Sequence, residues 1–381
     1  MNLADTLNLG CLCRTLNPEH LRAQLETDPS LAGLTRQLAT SHPHLFSQTS
    51  VFLDAATRNK LARTVAAIER VIALPAYQVQ TLAQAPAIAR HDFGPAGVFM
   101  GYDFHMAEGG PRLIEINTNA GGALLNAALA RAHRVCCASM TGLFDAATDV
   151  LGLDEVFVAM FRDEWRAQRG AAPLRTLLIV DDEPAAQYLA PEFTLARLLL
   201  RRHGITTEVA DPRELQWHGG RLWHPALPAG LPVDMVYNRL TDFDLSLPAH
   251  AALRAAYEAG SVVLTPHPRA HALFADKRNL IALGDEALLA RWGVADDDRR
   301  LLQAAIPATR QVTPQNAEAL CVQRRQLFFK PAGGFGSRAA YRGDKLTRRV
   351  WSDITAGGYV AQDLVPPSER LVEVDGEPMR L

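Results

Sequence analysis

The stretch PRLIEINTNAGG, residues 111–122, places an acid and an amide inside an apolar, β-branched run. This composition predicts a strand, on which successive side chains point to opposite faces. Ile114 and Ile116 are expected to face a core. The opposite face then carries Leu113, Glu115, Asn117 and Asn119. Two oxygen donors one step apart on a strand suit Mg²⁺, which is commonly held by one or two protein ligands plus phosphate and water. The same pattern also fits a solvent-facing polar stripe on an antiparallel strand.

The length, net charge and cysteine content of the chain indicate which classes of protein it can belong to. A chain of 381 residues predicts two or three domains. Its net charge of −2 gives no electrostatic case for a nucleic-acid partner. No apolar run is as long as a membrane span, and the N-terminus lacks the basic segment of a signal peptide. The five cysteines include two close pairs, which fits reduced thiols and predicts a cytoplasmic location.

Lysine is scarce in this chain. It occurs only at positions 60, 277, 330 and 345, and every other cation among the 39 Lys and Arg residues is arginine. A lysine within a motif therefore needs a reason, such as the compact charge that suits a phosphate oxygen. Lys277, in FADKRNL, is predicted to lie on a helix, where it could also be an ordinary solvated residue.

A glycine-rich segment follows a predicted strand in FFKPAGGFGSR. The strand ends at Lys330, and the loop holds Gly333, Gly334 and Gly336. Glycines allow positive φ and a close approach of the backbone, so their N–H groups can form an anion site. The alternative is a flexible hairpin turn.

The chain divides into three parts by its pattern. Residues 1–172 are mostly helical up to residue 90, followed by two strands that carry the Glu-x-Asn stretch and an Ala-rich helix at about 123–140. Residues 173–268 alternate strand and helix, which predicts a parallel sheet. Residues 269–381 hold the two motif lysines and end on a strand, an Asp-Gly turn and a returning strand.

Three further positions are candidates for binding. Arg239 ends a strand of the predicted parallel sheet, where such sheets place ligand groups; it could equally form an ordinary surface ion pair. Asp103, on the strand before the Glu-x-Asn strand, could add a carboxylate or be a surface residue. Gln362, Asp363 and Leu364 end a strand and could present backbone groups to an adenine edge, or could simply be a strand end.

Taken in order, these motifs resemble the circularly permuted ATP-grasp ligases, and eukaryotic-type glutathione synthetase most of all. In ordinary ATP-grasp enzymes the Glu-x-Asn motif follows the lysines and the glycine loop, whereas here it comes first. The resemblance continues through VYNR, ADKRN, KPAGGFGS and VAQDLVPP, and it covers most of residues 95–367.

The resemblance implies an α/β (α+β) ATP-grasp fold, circularly permuted, with a helical N-terminal region and an inserted parallel-sheet domain. It implies a ligase that uses ATP and Mg²⁺ to join a small-molecule carboxylate to a small-molecule amine through an acyl phosphate, without nucleic-acid or membrane partners. It assigns Glu115 and Asn117 to Mg²⁺, and Lys277 and Lys330 to the ATP phosphates. It assigns Gly333, Gly334, Gly336 and Ser337 to a lid loop over those phosphates. Gln362, Asp363 and Leu364 are assigned to an adenine hinge, and Arg239 is assigned to the peptide substrate. Lys330 and Arg239 are the implied catalytic residues.

The sequence also departs from that family. The glycine loop lacks the family's acidic residue. The family also has an arginine just before an Asp-aromatic step, where this chain has Gly101-Tyr102-Asp103. A glutathionylspermidine-synthase-like relative fits as well, and a nucleotide-binding module without ligase activity is the alternative. A purely structural α/β protein is a further alternative. Members of that family continue past the terminal hairpin. Either this hairpin ends the domain, or this sequence is shorter than the natural protein. The sequence does not give the oligomeric state, and a homodimer is compatible with it.

Overall fold

The computed structural model describes residues 3–11, 16–132, 152–334, 339–374 and 377–380. Helices come first along the chain. They are followed by a two-stranded hairpin, a parallel sheet, a group of short helices, an antiparallel sheet and a second hairpin.

The N-terminal part is helical, as predicted. Two of its helices begin at residues that the sequence marks as caps: the Asn17 side chain accepts a hydrogen bond from the N–H of His20, and Asp54 accepts one from the N–H of Thr57. Ile68 and Ile72 are buried on the longest helix. The helices span Leu3–Gly10, Pro18–Leu25, Leu34–Ser41, Ala55–Ile72 and Pro75–Leu82.

The Glu-x-Asn stretch forms one strand of a hairpin, but its alternation is not the predicted one. Strand β1 (Gly101–Ala107) pairs antiparallel with β2 (Gly110–Asn117), and the register shifts between Asp103 and Phe104. Asp103 lies opposite Glu115 and Phe104 lies opposite Leu113, which leaves Ile114 as the extra residue of a β-bulge. The bulge restarts the alternation, so Leu113 is buried in the core rather than sharing the face of Glu115.

The predicted parallel sheet is present, with strand order β4-β3-β7-β8. Leu178 and Val180 of β3 enter one core, and Leu177 and Ile179 enter another on the opposite face. Burial of both faces explains why these strands read as continuous apolar runs. The strands are β3 (Thr176–Val180), β4 (Thr206–Ala210), β7 (Met235–Asn238) and β8 (Val263–Thr265), and the helices packed on them span Leu153–Arg169, Ala190–Arg202 and Ala251–Glu258. A small hairpin that the sequence analysis missed, β5 (Gln216–His218) with β6 (Arg221–Trp223), covers one edge of the first core.

The C-terminal part contains a four-stranded antiparallel sheet of order β11-β10-β12-β9. Its strands are β9 (Thr309–Gln311), β10 (Leu327–Pro331), β11 (Tyr341–Arg342) and β12 (Tyr359–Asp363). Two helices pack in the core of this sheet, Ala317–Gln323 and Arg348–Thr355. The helices Asn279–Leu283, Glu286–Arg291 and Asp296–Ala305 pack in a core with the first hairpin and the N-terminal helices. The predicted terminal hairpin is present as β13 (Leu371–Val374) and β14 (Glu377–Arg380).

The segment before this sheet is not the single helix that the sequence predicts. A helical turn at Pro268–Ala270 continues as a π-helical turn at His271–Ala275, and the chain becomes extended at Asp276. Lys277 consequently lies in a turn, where its N–H donates to the carbonyl of Ala332 at 3.0 Å. Because Ala332 is far from Lys277 in the sequence, the residues around Lys277 do not indicate this contact.

The Ala-rich helix after the first hairpin is described over Ala123–Ala132, and the remainder of its predicted length lies outside the described residues. Across the described part of the chain, no helix combines the length and the apolar character needed to cross a membrane.

Candidate functional site

A cavity of about 230 Å³ lies between the first hairpin and the antiparallel sheet. Side chains from β2, β10 and β12 reach it, together with the turn that holds Lys277. Seven of the residues singled out from the sequence line it: Glu115, Lys277, Lys330, Gly334, Gln362, Asp363 and Leu364. The tertiary structure therefore brings together residues from four separate sequence motifs.

Lys330 is buried at the centre of this group. Its ammonium donates to the carbonyl oxygen of Ile114 at 2.8 Å and to Oε1 of Gln362 at 3.1 Å. The bulge at Ile114 is thus the point where the hairpin contacts the lysine of the sheet. Burial lowers the pKa of Lys330 to about 8, and the cation of Lys277 acts in the same direction.

Lys277 is also buried and faces the same cavity. Its Nζ donates to the carbonyl oxygen of Gly334 at 2.7 Å and lies 3.7 Å from Oε2 of Glu115. Two ammonium groups and one carboxylate therefore meet next to the start of the glycine-rich loop. Such an arrangement can hold a polyphosphate together with a divalent cation.

Asp103 joins Glu115 and Asn117 on the hairpin. The Asn117 amide donates to Asp103 Oδ2 at 2.9 Å and to Glu115 Oε1 at 3.3 Å. Burial, followed by the neighbouring charge of Glu115, raises the pKa of Asp103. Sequence reasoning gave Asp103 little weight because its partner across the hairpin follows only from the strand register.

The residues at the end of β12, which the sequence predicted as an adenine hinge, already form hydrogen bonds within the protein. The Gln362 amide donates to Thr309 Oγ1 at 3.3 Å, in addition to accepting from Lys330. The backbone N–H groups of Asp363 and Leu364 donate to neighbouring carbonyls at 2.9 and 2.8 Å. Both of these N–H groups are therefore already paired within the protein.

The glycine-rich loop is described only in part. Gly333 and Gly334 follow β10, and a side chain at Gly333 would meet nothing within 4 Å. Gly336 and Ser337 lie outside the described residues.

Arg239 does not line this cavity. It is buried at the end of β7, where its Nη1 donates to the carbonyl oxygens of Asn119 and Ala120, both at 3.1 Å, and to the Asn119 side chain. Its Nε is buried with no hydrogen-bond partner in the described structure. Arg239 thus ties the segment after the Glu-x-Asn strand to the parallel sheet.

The polar side chains of the first hairpin indicate which kind of metal ion the site could hold. Within the residues that the structure describes, no three His, Cys, Asp or Glu side chains are grouped so as to hold a metal ion. The carboxylates of Asp103 and Glu115 both accept hydrogen bonds from the Asn117 amide nitrogen, so the three side chains meet at one point of the hairpin. This set fits a hard cation that takes its remaining ligands from phosphate and water.

Comparisons with known proteins place the fold but not the family. No family model and no curated protein matches this sequence. The solved structure of a glutathione synthetase-like effector from Globodera pallida, in its apo form, matches with a TM-score of 0.56 at 12% identity over 86% of this chain and 75% of the effector. The chain therefore shares the mixed helix-and-sheet fold of that effector, which agrees with the α/β class predicted from the sequence.

Two other solved structures match less well. A protein assigned as a gamma-glutamylcysteine synthetase from Methylobacillus flagellatus gives a TM-score of 0.40 at 11% identity, over 83% of this chain and 76% of that one. D-alanyl-alanine synthetase A from Vibrio cholerae O1 biovar eltor gives 0.30 at 13% identity, over 55% and 66%. Neither likeness supports a conclusion.

Proposed function

We propose that this chain is an ATP- and Mg²⁺-dependent carboxylate–amine ligase, similar to glutathione synthetase, that acts through an acyl phosphate. The observation that carries the proposal is the meeting of Lys277, Lys330 and Glu115 at one cavity, with the strand end Gln362–Leu364 at the same cavity. Phosphates bind beside the two lysines in this proposal, and the nucleotide base binds beside the strand end.

The two lysines suit the phosphates for different reasons. Lys277 already interacts with the glycine-rich loop through the Gly334 carbonyl, so it can hold a phosphate against that loop. Lys330 is held by Ile114 and Gln362, which fixes its ammonium at the centre of the cavity. Pre-positioned cations stabilise the charge of a transferring phosphoryl group without having to reorganise during the reaction.

Mg²⁺ would be held by Glu115 and Asn117, with Asp103 in reach. The clustering of these oxygen donors, and the raised pKa of Asp103 beside Glu115, fit a place where a cation would relieve repulsion between carboxylates. When bound, the ion would neutralise phosphate charge and fix the orientation of the triphosphate.

The proposed reaction has two steps. A substrate carboxylate oxygen bonds to the γ-phosphorus, the bond from that phosphorus to the bridging oxygen breaks, and ADP leaves. The nitrogen of the amine then bonds to the acyl carbon, inorganic phosphate departs, and the nitrogen loses a proton to give the amide. Lys277 and Lys330 hold the phosphate oxygens through both steps.

Arg239 has a supporting role in this proposal. It lies outside the cavity and its Nε is buried, so in this proposal it supports the site and does not contact the substrate. Its contacts to Asn119 and Ala120 also hold the loop that follows the metal-binding strand.

A nucleotide-binding module without ligase activity is the second candidate. The segment Ala332–Gly336 contains no acidic residue, which removes one metal ligand that the family resemblance would imply. Such a module would bind Mg-ATP and release no ADP.

The test uses Glu115→Gln with Glu108→Gln as its matched control, because Glu108 is exposed at the turn of the same hairpin. Mg-ATP should raise the melting temperature of the wild type and of the control. Glu115→Gln should lose most of this shift. An equal shift in all three proteins would refute the metal role of Glu115. ADP release that depends on an added carboxylate and amine would separate the ligase from the module.

A further inference from the structure

A second and larger cavity, of about 380 Å³, lies on the other side of the glycine-rich loop. Gly333 lines this cavity, while the next residue, Gly334, lines the first one. Asp276 and Arg278 line it as well, although Lys277 between them faces the first cavity. The turn that holds Lys277 and the start of the loop therefore border both cavities.

One wall of this cavity is acidic. It is formed by Asp242 and Asp244 from the loop after β7, and by Asp276. Arg278 binds Asp276 through its Nε at 3.0 Å, and the buried imidazole of His250 binds Asp242 at 2.7 Å. Asp244 has no ion pair with a Lys, Arg or His side chain in the described part of the chain. The carboxylate of Asp244 thus faces the cavity without a counter-cation.

Apolar residues form another part of the lining, next to polar side chains such as Gln80 and Gln84. Pro86, Ile88 and Ala89 contribute to it from the segment after the N-terminal helices, and Ala272 and Ala282 contribute from the segments around Lys277. Phe243 closes one side by stacking on His271, with the ring centroids 3.7 Å apart and the rings 9° from parallel. A ligand that fills this space would need a charged end and an apolar body.

We infer that this second cavity binds the amine substrate of the proposed ligase, and that the substrate is an amine with an apolar body, its ammonium directed at Asp244. The inference rests on the proposed function, since it assigns the second cavity to the nucleophile of the same reaction. The position fits because the loop and the Lys277 turn are shared with the cavity that takes the phosphates. An anionic group beside Asp244 would meet a carboxylate that has no counter-cation, which disfavours an amine that also carries an acid at that position.

Asp244 also suits the proton that the nitrogen must lose. Burial, followed by its interaction with Asp242, raises the pKa of Asp244, so its carboxylate accepts a proton more readily than an exposed one. An amine that arrives as an ammonium ion must lose two protons before the amide is complete. It could pass the first to Asp244 before nitrogen attacks the acyl carbon, and the departing phosphate could take the second.

The test measures binding of phenethylamine to the full chain by calorimetry, with phenylpropionate as the anion of similar shape. Phenethylamine should bind at least about tenfold more tightly than phenylpropionate, because only the amine can pair with the carboxylates. Asp244→Asn should weaken phenethylamine about tenfold, whereas the exposed control Asp353→Asn should not change it. Ala85→Phe, which fills the cavity from its half-buried wall, should also abolish binding if Asp244→Asn fails to fold.

The result that would overturn the inference is equal or tighter binding of phenylpropionate, or unchanged amine binding in the folded variants. Mg-ATP binding by the wild type is measured in parallel. Loss of the amine effect with intact Mg-ATP binding would count against the amine site alone. Absent Mg-ATP binding would count against the proposed function instead.

Discussion

The ammonium of Lys277 lies 3.7 Å from the carboxylate of Glu115, although a whole parallel sheet separates the two residues along the chain. Neither side chain is fully exposed to water, so the pair is less screened than a surface ion pair. A triphosphate entering the cavity would meet a cation and a metal-binding carboxylate side by side. This proximity makes the lysine the first target for mutation.

Lys277→Ala should weaken Mg-ATP binding by roughly 10²-fold, because it removes a positioned cation from the phosphates and leaves Glu115 without its nearest positive charge. The measurement is a nucleotide titration by calorimetry. Lys345→Ala is the control, since Lys345 is exposed and lines neither cavity. Similar affinities in the two variants would remove Lys277 from the phosphate site.

The affinity for Mg-ATP should fall as pH rises through about 8. Burial lowers the pKa of Lys330 to about 8, so its ammonium is charged below that pH and loses its proton above it. A neutral amine attracts phosphate less than a cation does, and the loss is therefore on the alkaline side. Affinity measured between about pH 7 and pH 10 should show this decline.

Lys330→Arg provides the control for that titration, because a guanidinium stays protonated over the whole range. The affinity of this variant for Mg-ATP should be lower than that of the wild type at neutral pH, because the larger guanidinium does not fit the contacts of the ammonium. It should not decline above a pH of about 8. A decline of equal size in both proteins would assign the titration to another group.

Asn119→Ala should destabilise the chain by about 2 kcal/mol. The Asn119 amide donates to the carbonyl oxygens of Arg239 and Leu240 at 2.9 and 3.0 Å, and its oxygen accepts from Arg239. Loss of these contacts leaves buried groups without partners and frees the segment after Asn117. Urea unfolding measures the change, and a loss below about 0.5 kcal/mol would show that Asn119 is not a structural link.

Gly343→Ala should destabilise the antiparallel sheet by about 3 kcal/mol or more. A Cβ at this buried position would lie 1.8 Å from the backbone oxygen of Arg324, just before the strand that carries Lys330. The backbone cannot yield as a flexible side chain would. Gly109→Ala is the matched control, because a Cβ there meets nothing within 4 Å and should change stability by less than about 0.5 kcal/mol. Equal unfolding curves for the two variants would contradict the predicted clash.

The sequence by itself determined most of the elements. The helical N-terminal part, the alternation of strand and helix over residues 173–268 and the terminal hairpin follow from residues close together in the chain, and each was predicted. Local patterns succeed here because hydrophobic period, capping groups and turn residues act over a few residues.

Only the tertiary structure decided how the site is assembled. The bulge at Ile114, the turn that holds Lys277, the partnership of Asp103 with Glu115 and the attachment of Arg239 to Asn119 all depend on contacts between distant segments. A side chain's partner across such a distance is fixed by packing and strand register, neither of which leaves a local pattern. The sequence could therefore propose the residues of the site but not the contacts that hold them.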